Sequence, residues 1–143
     1  MKHLLAAAAL LPGFAFAQMT PLGLWKTIDD DGKTAKSLVR ISEQGGAVVA
    51  SIEKVLDPSA PSNAKCDRCK DDRKDQPIVG LQIMRGVKAE NEGVWGGGDI
   101  LDPDNGKTYK VRLKPTEGGK RLDVRGYIGA PLFGRTQTWQ RVE

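Results

Sequence analysis

The sequence predicts an all-β protein, and three observations carry that prediction. From Leu22 onward, short runs of alternating or β-branched residues are separated by glycine, aspartate, asparagine and proline. No stretch keeps the periodicity of an amphipathic helix for three turns. Most connections are short enough to join antiparallel neighbours as hairpins. These features predict an eight-stranded antiparallel up-and-down barrel. A β-sandwich is the alternative, because strand number alone does not separate the two architectures.

Eight candidate strands follow one another along the chain. They are residues 22–28, 37–43, 47–55, 78–87, 93–101, 107–114, 120–128 and 134–142. In the sixth, Tyr109, Val111 and Leu113 alternate with lysine and arginine, so one side faces a core and the other faces water. Closing such a sheet removes its exposed edges. Eight strands enclose an interior that side chains fill or that holds one small ligand.

Glycine-rich and aspartate-rich segments punctuate the strands. Gly96-Gly97-Gly98, inside a strand, predicts a bulge or sharp coil of the closing sheet. The segment Asp102-Pro103-Asp104-Asn105-Gly106 has the oxygen ligands of a calcium loop, but position 112, where an EF-hand needs a bidentate glutamate, is arginine. We therefore predict a tight turn, in which Asp102, Asp104 or Asn105 bonds back to the backbone and Gly106 takes a positive φ, and no metal site.

Residues 1–17, MKHLLAAAALLPGFAFA, are typical of a secretory signal peptide. Lys2 precedes an apolar run that is too short to span a bilayer, and a small-x-small pattern ends at Ala17. We expect cleavage after Ala17, a single β-barrel domain over residues 18–143, and no transmembrane segment in the mature chain. The mature protein is then secreted, into the periplasm or the extracellular space.

Composition excludes several kinds of function. The chain has one histidine, His3, which lies in the predicted signal peptide, so the mature protein lacks the imidazole of a Ser-His-Asp or Cys-His catalytic set. The formal charge of the whole chain is +4, with basic and acidic residues mixed along nearly every segment. A nucleic-acid binder would concentrate its positive charge, so we expect no nucleic-acid partner.

Cys66-Asp67-Arg68-Cys69 lies in the one long connection, residues 56–77. A redox pair sits at a helix N-terminus, but eight residues without an apolar side chain follow Cys69. A zinc site needs about four ligands, and one cysteine pair without histidine leaves the set incomplete. We predict that Cys66 and Cys69 form a structural disulfide in an oxidising compartment. Dithiol oxidoreductase chemistry is the less favoured alternative.

Several motifs together resemble a known family. They are Pro21-Leu22-Gly23-Leu24-Trp25-Lys26-Thr27, residues 100–109 (ILDPDNGKTY), residues 125–129 (RGYIG), residues 134–139 (GRTQTW), and the Cys-x-x-Cys loop followed by residues 74–78 (KDQPI). The chain resembles domain of unknown function 2147, a family of uncharacterised secreted bacterial proteins, over essentially the whole mature sequence. The resemblance implies a lipocalin-like barrel and no assigned reaction.

Gly23-x-Trp25 also resembles the opening signature of lipocalins and their calycin relatives. That likeness implies that Trp25 plugs the closed end of the barrel beneath an arginine of the last strand, which is Arg141 or, as the alternative, Arg135. Trp139 belongs to the same predicted barrel-closing group. Motifs of lipocalin type are missing from the middle of the chain, which leaves a deep pocket open to question.

We expect a non-catalytic binder of a small apolar or amphipathic ligand, without a cofactor. The candidate ligand-lining residues are Trp95, Tyr109, Val111, Leu122 and Val124. The apolar loop at residues 127–134 is interpreted either as a plug over the core or as a lip at the ligand entrance or a partner contact. The alternative function is a structural or interaction protein of the cell envelope with a solid barrel. Oligomeric state is left open.

Overall fold

The computed structural model describes residues 19–143, which form a closed barrel of eight antiparallel strands. The predicted signal peptide lies outside the described residues. The strands are β1 (Gly23–Ile28), β2 (Ala35–Gln44), β3 (Ala47–Val55), β4 (Gln82–Ala89), β5 (Trp95–Asp102), β6 (Lys107–Thr116), β7 (Arg121–Tyr127) and β8 (Gly134–Arg141). A short 3₁₀ helix, Glu117–Gly119, precedes β7. The predicted up-and-down barrel is confirmed, and the β-sandwich alternative is not adopted.

Each strand pairs with its neighbours in sequence, and β1 pairs with β8 to close the sheet. In that closing pair Trp25 lies opposite Arg141, and Lys26 lies opposite Gln140. The up-and-down order places the β1–β2, β3–β4, β5–β6 and β7–β8 connections at one end of the barrel. The remaining three connections lie at the other end, with both ends of the described chain, so the two ends differ in their chemistry.

The largest departure from the predicted strand boundaries is at β4. This strand begins at Gln82 instead of residue 78, because residues 78–81 form a turn in which Gly80 has a φ of +92°. The backbone N–H of Leu81 donates to the carbonyl of Ile78 at 3.1 Å, a bond from residue i+3 to residue i that is typical of such a turn. The predicted strand continued through this turn because its residues are apolar, and apolar character alone does not reveal backbone direction.

The glycine run of β5 forms the predicted bulge. The register of β5 against β6 shifts between Gly96 and Gly98, and Gly97 has a φ of +77°. A Cβ atom on Gly98 would lie 2.2 Å from the carbonyl oxygen of Arg85 in β4, so the two strands approach too closely for a side chain here. The bulge therefore increases the local twist of β5 against β6.

The interior is filled with side chains in one half of the barrel. Fully buried residues include Trp25, Val39, Ile41, Ala50, Val87, Val111, Leu113 and Leu122. In the up-and-down order these positions lie toward the end that carries the β2–β3, β4–β5 and β6–β7 connections, which we call the closed end. The opposite half is hollow and forms the candidate site described below.

The long connection between β3 and β4 packs against the barrel. Cys66 and Cys69 form a disulfide, and their side chains are 0% and 2% exposed within the main hydrophobic cluster. Arg73, also buried, donates from Nη1 to the carbonyl of Gln82 at 2.9 Å. A Cβ on Gly106 would lie within 1.9 Å of the carbonyl oxygen of Arg68, so the cysteine loop rests directly on the β5–β6 turn. The loop therefore flanks the barrel mouth.

Candidate functional site

A cavity of about 490 Å³ occupies the half of the barrel opposite the closed end. It reaches the surface between the β1–β2, β5–β6 and β7–β8 connections, which we call the open end. Its walls are mainly apolar side chains from six strands and one loop: Ile52, Val55, Ile78, Ile83, Ile100, Leu101, Tyr109, Val124 and Trp139. A volume of this size with apolar walls is within the range of small-molecule binding sites.

The polar side chains of the cavity wall bond mainly to one another. The hydroxyls of Thr27 and Ser37 are 2.9 Å apart, and the Trp139 indole N–H donates to Oε1 of Gln137 at 3.0 Å. Asn105 Nδ2 donates to the Tyr109 hydroxyl at 3.1 Å, which leaves that hydroxyl its own proton to donate. Because most of these groups are already satisfied, the interior favours apolar contact over a dense set of hydrogen bonds.

Charged side chains form a rim around the opening. Lys36 Nζ contacts Asp104 Oδ2 at 2.5 Å, and the Asp104 hydrogen bond raises the pKa of Lys36. Arg135 forms an ion pair with Asp30, whose other oxygen accepts a 2.9 Å bond from Gln137 Nε2. The carboxylates of Asp29 and Asp102 also lie at the rim. An apolar interior below a polar rim suits an amphipathic molecule with its apolar part inside.

The connection between β7 and β8 adds an apolar segment to the rim. Ile128 and Phe133 both line the cavity, yet they are 66% and 71% exposed, and Leu132 between them is 80% exposed. The sequence interpretation offered a plug over the core or a lip at an entrance. These side chains stand beside the opening and leave the cavity accessible, so the segment does not plug the core, and we call residues 128–133 the lip.

The closed end is sealed by Trp25 and Arg141. The Arg141 guanidinium carbon lies 4.3 Å from the centre of the Trp25 ring, and the Trp25 indole donates to the carbonyl of Pro21 at 2.8 Å. Arg141 also donates to the carbonyls of Gly119, Leu22 and Thr20 at 2.6, 2.6 and 2.7 Å. Arg141 is therefore the arginine over the indole, and Arg135, the alternative, lies at the open rim.

Gly23 is required for this seal. Its φ is +133°, and a Cβ would lie 2.4 Å from the carbonyl oxygen of Glu143 and 2.6 Å from Nη1 of Arg141. Trp139, which the sequence predicts to belong to the barrel-closing group, lies elsewhere. Its side chain lines the cavity, because alternation along β8 turns positions 139 and 141 inward but at different heights in the barrel.

The five predicted ligand-lining residues are divided between two regions. Tyr109 and Val124 line the cavity. Val111 and Leu122 point inward as expected but lie in the filled half, where both are fully buried. Trp95 is partly buried against the core and lies outside the cavity lining. Inward direction alone therefore does not identify cavity residues, and distance from the open end is the second requirement.

Several cavity residues were missed by the sequence analysis. Ile52, Ile100 and Leu101 line the cavity near the open ends of their strands, and Ile78 reaches it from the long connection. Ile52 could have been identified from two criteria: it falls on the inward-facing alternation of β3, and it lies close to the open-end connections. Ile100 lies opposite the cavity residue Tyr109 and Leu101 lies opposite Thr108, so strand alternation does not explain why both Ile100 and Leu101 line the cavity.

The Asp102–Gly106 segment forms a tight turn. Asp104 N donates to Asp102 Oδ1 at 2.9 Å, Lys107 N donates to Asn105 Oδ1 at 2.8 Å, and Gly106 has a φ of +74°. These carboxylates and amides thus stabilise the backbone as expected for such residues. Across residues 19–143, no group of three or more histidine, cysteine, aspartate or glutamate side chains is placed to hold a metal ion.

The disulfide is poorly placed for thiol exchange. Both sulfur-bearing side chains are almost completely buried, and no helix begins at Cys69. Attack by an external thiolate requires access to a sulfur atom, which the folded loop does not provide. The geometry thus favours a structural disulfide over a redox centre.

Comparison with known proteins supports the fold. A family model described as "Uncharacterized protein conserved in bacteria (DUF2147)" matches residues 23–141. No curated protein matches the sequence. A solved structure of protein HP1028 from Helicobacter pylori, described as belonging to the lipocalin family, has a TM-score of 0.73 and 21% identity, and the match covers 85% of this chain and 82% of that one. At this identity the likeness concerns the fold alone.

No helix among residues 19–143 is long and apolar enough to cross a membrane.

Proposed function

This chain belongs to the DUF2147 family of uncharacterised bacterial proteins, and we propose that it binds a small apolar or amphipathic molecule inside the barrel without catalysis. The observation that carries the proposal is the cavity of about 490 Å³, with apolar walls and a charged rim, in the open half of the barrel. A solid barrel would offer no such space. The lipocalin-family description of a structural neighbour supports a barrel of this general type.

Burial of apolar surface supplies the affinity in this proposal. Contact with side chains such as Ile83, Val124 and Trp139 removes apolar ligand surface from water, worth roughly 25 cal/mol per Å² before the costs of association. The Tyr109 hydroxyl and the rim charges orient the polar part of the ligand. Cys66 and Cys69 lie outside the cavity lining and are held in a disulfide, so they offer the ligand no thiol, and binding in this proposal is non-covalent.

The compartment that we propose is outside the cytoplasm, after removal of residues 1–17. The Cys66–Cys69 disulfide supports this proposal, since structural disulfides persist in oxidising compartments. An intact mass of the protein recovered from the periplasm or culture medium tests it. A mass that begins at Gln18 is expected, and a chain that keeps residues 1–17 in the cytoplasmic fraction would contradict it.

Gly126 offers a direct test of binding. It lines the cavity, its φ is not positive, and a Cβ there would meet its nearest atom, Tyr109 Cβ, at 3.6 Å, which is ordinary contact distance. Gly126→Leu therefore adds a branched side chain to the cavity, whereas Gly126→Ala adds one methyl group. The probe is N-phenyl-1-naphthylamine, an apolar dye whose fluorescence rises on transfer from water to an apolar site.

The expected result is saturable dye binding by the wild-type protein, slightly changed binding by Gly126→Ala, and at least tenfold weaker binding by Gly126→Leu. Thermal unfolding checks that the leucine variant remains folded, which we expect because glycine weakens a strand interior. Native mass spectrometry of protein from its own host should also show a bound mass. Absence of saturable binding, or equal binding by all three proteins, would remove the cavity from consideration and favour the structural envelope protein.

A further inference from the structure

The apolar lip at residues 128–133 has a second consequence, which rests on the proposed function. We propose that Ile128, Leu132 and Phe133 seat on the surface of a lipid bilayer, so that the mouth of the cavity faces the membrane during ligand exchange. Their exposed fractions are 66%, 80% and 71%. Three adjacent large apolar side chains exposed together are unusual on a soluble surface and mark interaction sites.

The lip is held in one conformation by hydrogen bonds. Arg125 donates from Nε to the carbonyl of Pro131 at 2.6 Å and from Nη1 to the hydroxyl of Thr136 at 2.8 Å. Within the loop, Phe133 N donates to the carbonyl of Ala130 at 2.9 Å, and Ile128 N donates to the carbonyl of Phe133 at 3.3 Å. These hydrogen bonds hold the loop with its apolar side chains facing outward. Burying them therefore costs little further conformational entropy.

The lip is continuous with the cavity. Ile128 and Phe133 line the cavity and are also exposed, whereas Leu132 is exposed and lies outside the cavity lining. An apolar wall thus extends from the interior to the outer surface. A ligand of the proposed class dissolves in bilayers and poorly in water. Seating the lip in a bilayer would give that ligand a route that avoids water.

The size and charge of the patch favour a bilayer over a protein partner. The three side chains expose on the order of 400 Å² of apolar surface, about half of the roughly 800 Å² per partner of a stable protein interface. Interfacial insertion needs no such area or shape match. Residues 127–134 carry no charge, so insertion of the lip desolvates no ionised side chain. At the rim, Asp30 and Asp104 are paired with Arg135 and Lys36, so these four charges cancel and give no preference for anionic lipid.

Vesicle flotation of the purified protein tests the proposal. The vesicles are phosphatidylcholine alone or phosphatidylcholine with phosphatidylglycerol, and the variants are Leu132→Ser and Val142→Ser. Leu132 belongs to the lip, outside the cavity lining. Val142 is a matched control, since it is also exposed, at 50%, but lies at the closed end. The wild-type protein and both variants have the same N-terminus, so any effect of residues 1–17 on flotation is the same in all three. Dye binding is measured on the same samples without vesicles.

We expect the wild-type protein and Val142→Ser to float with phosphatidylcholine vesicles, and Leu132→Ser to partition about fivefold less while binding the dye unchanged. Equal partitioning of all three proteins would overturn the proposal. So would a concentration-dependent dimer, seen by sedimentation velocity without vesicles and abolished by Leu132→Ser, because the lip would then contact a second copy. If the wild-type protein floats with the vesicles but does not bind the dye, the proposed function is contradicted and the membrane contact is still supported.

Discussion

The Arg141 guanidinium lies 4.3 Å above the Trp25 ring and joins the last strand to the first at the closed end of the barrel. The same side chain donates to three backbone carbonyls. The charge, the planar shape and the hydrogen bonds of Arg141 therefore all contribute to the stability of the closed end. Lysine keeps the charge but not the planar fork. We therefore expect Arg141→Lys to lower the free energy of unfolding by about 2 kcal/mol, measured in urea.

Arg135→Lys is the matched control for that substitution. Arg135 also lies in β8 and pairs with a carboxylate, but its side chain is 64% exposed at the rim. Exposed ion pairs contribute little to stability, so we expect Arg135→Lys to change the free energy of unfolding by less than about 0.5 kcal/mol. Comparable losses in the two variants would show that Arg141 has no special role in closing the barrel.

The close approach of β4 and β5 predicts a severe effect of a single methyl group. In Gly98→Ala the new Cβ would lie 2.2 Å from the carbonyl oxygen of Arg85 and 2.7 Å from the backbone nitrogen of Val87. Backbone atoms cannot move aside without distorting the strand pair, so we expect a loss of at least about 2 kcal/mol by urea unfolding.

Gly126→Ala should behave oppositely. It is also a strand glycine without a positive φ, but its new methyl group would make only ordinary contacts. Its stability is expected to stay within about 0.5 kcal/mol of the wild type or to rise slightly. A Gly98→Ala variant as stable as Gly126→Ala would mean that the two strands do not approach as closely as described.

Burial of the disulfide predicts that it resists reduction while the protein is folded. With the Cys66 and Cys69 side chains 0% and 2% exposed, reduced glutathione should release no titratable thiol under native conditions. The same reductant should release two thiols once guanidinium unfolds the chain. Rapid release of two thiols from folded protein would revive the dithiol oxidoreductase alternative.

The cysteine loop should also confer a pH dependence on stability. The hydrogen bond from Arg73, whose side chain is 8% exposed, lowers the pKa of Asp71 to about 2. A carboxyl with a lowered pKa in the folded state stabilises the protein above its unfolded value, near pH 4, and loses that contribution as the pH falls through about 2. Because Asp71 is partly exposed, the contribution is modest, about 1 kcal/mol.

Asp71→Asn tests this linkage. At pH 7 the variant should be about 1 kcal/mol less stable than the wild type, and the difference should vanish between about pH 4 and pH 2. Asp67→Asn, an exposed carboxylate of the same loop, should change stability little at any pH. A difference for Asp71→Asn that is constant from pH 7 to pH 2 would show that the ion pair with Arg73 is not its source.

Sequence patterns were sufficient for the fold because they are local. Local patterns set the direction of the backbone within a few residues. Examples are the alternation at residues 109–113, the turn glycines and the glycine run of β5. Because successive strands are joined by hairpins, the resulting order is a meander. The prediction was wrong at the start of β4, where apolar residues continue through a turn. It was also incomplete for the site, since Val111 and Tyr109 share one face of β6 but lie in the filled and hollow halves respectively.

The sequence by itself therefore determined the number of strands, their order, the alternating faces of β6, the tight turns and the pairing of two nearby cysteines. The tertiary structure decided which half of the barrel is hollow, because an empty volume depends on the combined side chains of eight strands distant in sequence. It also decided that Trp139 lines the cavity and that Arg68 meets Gly106. Such relationships arise from closure of the sheet, which no local pattern encodes.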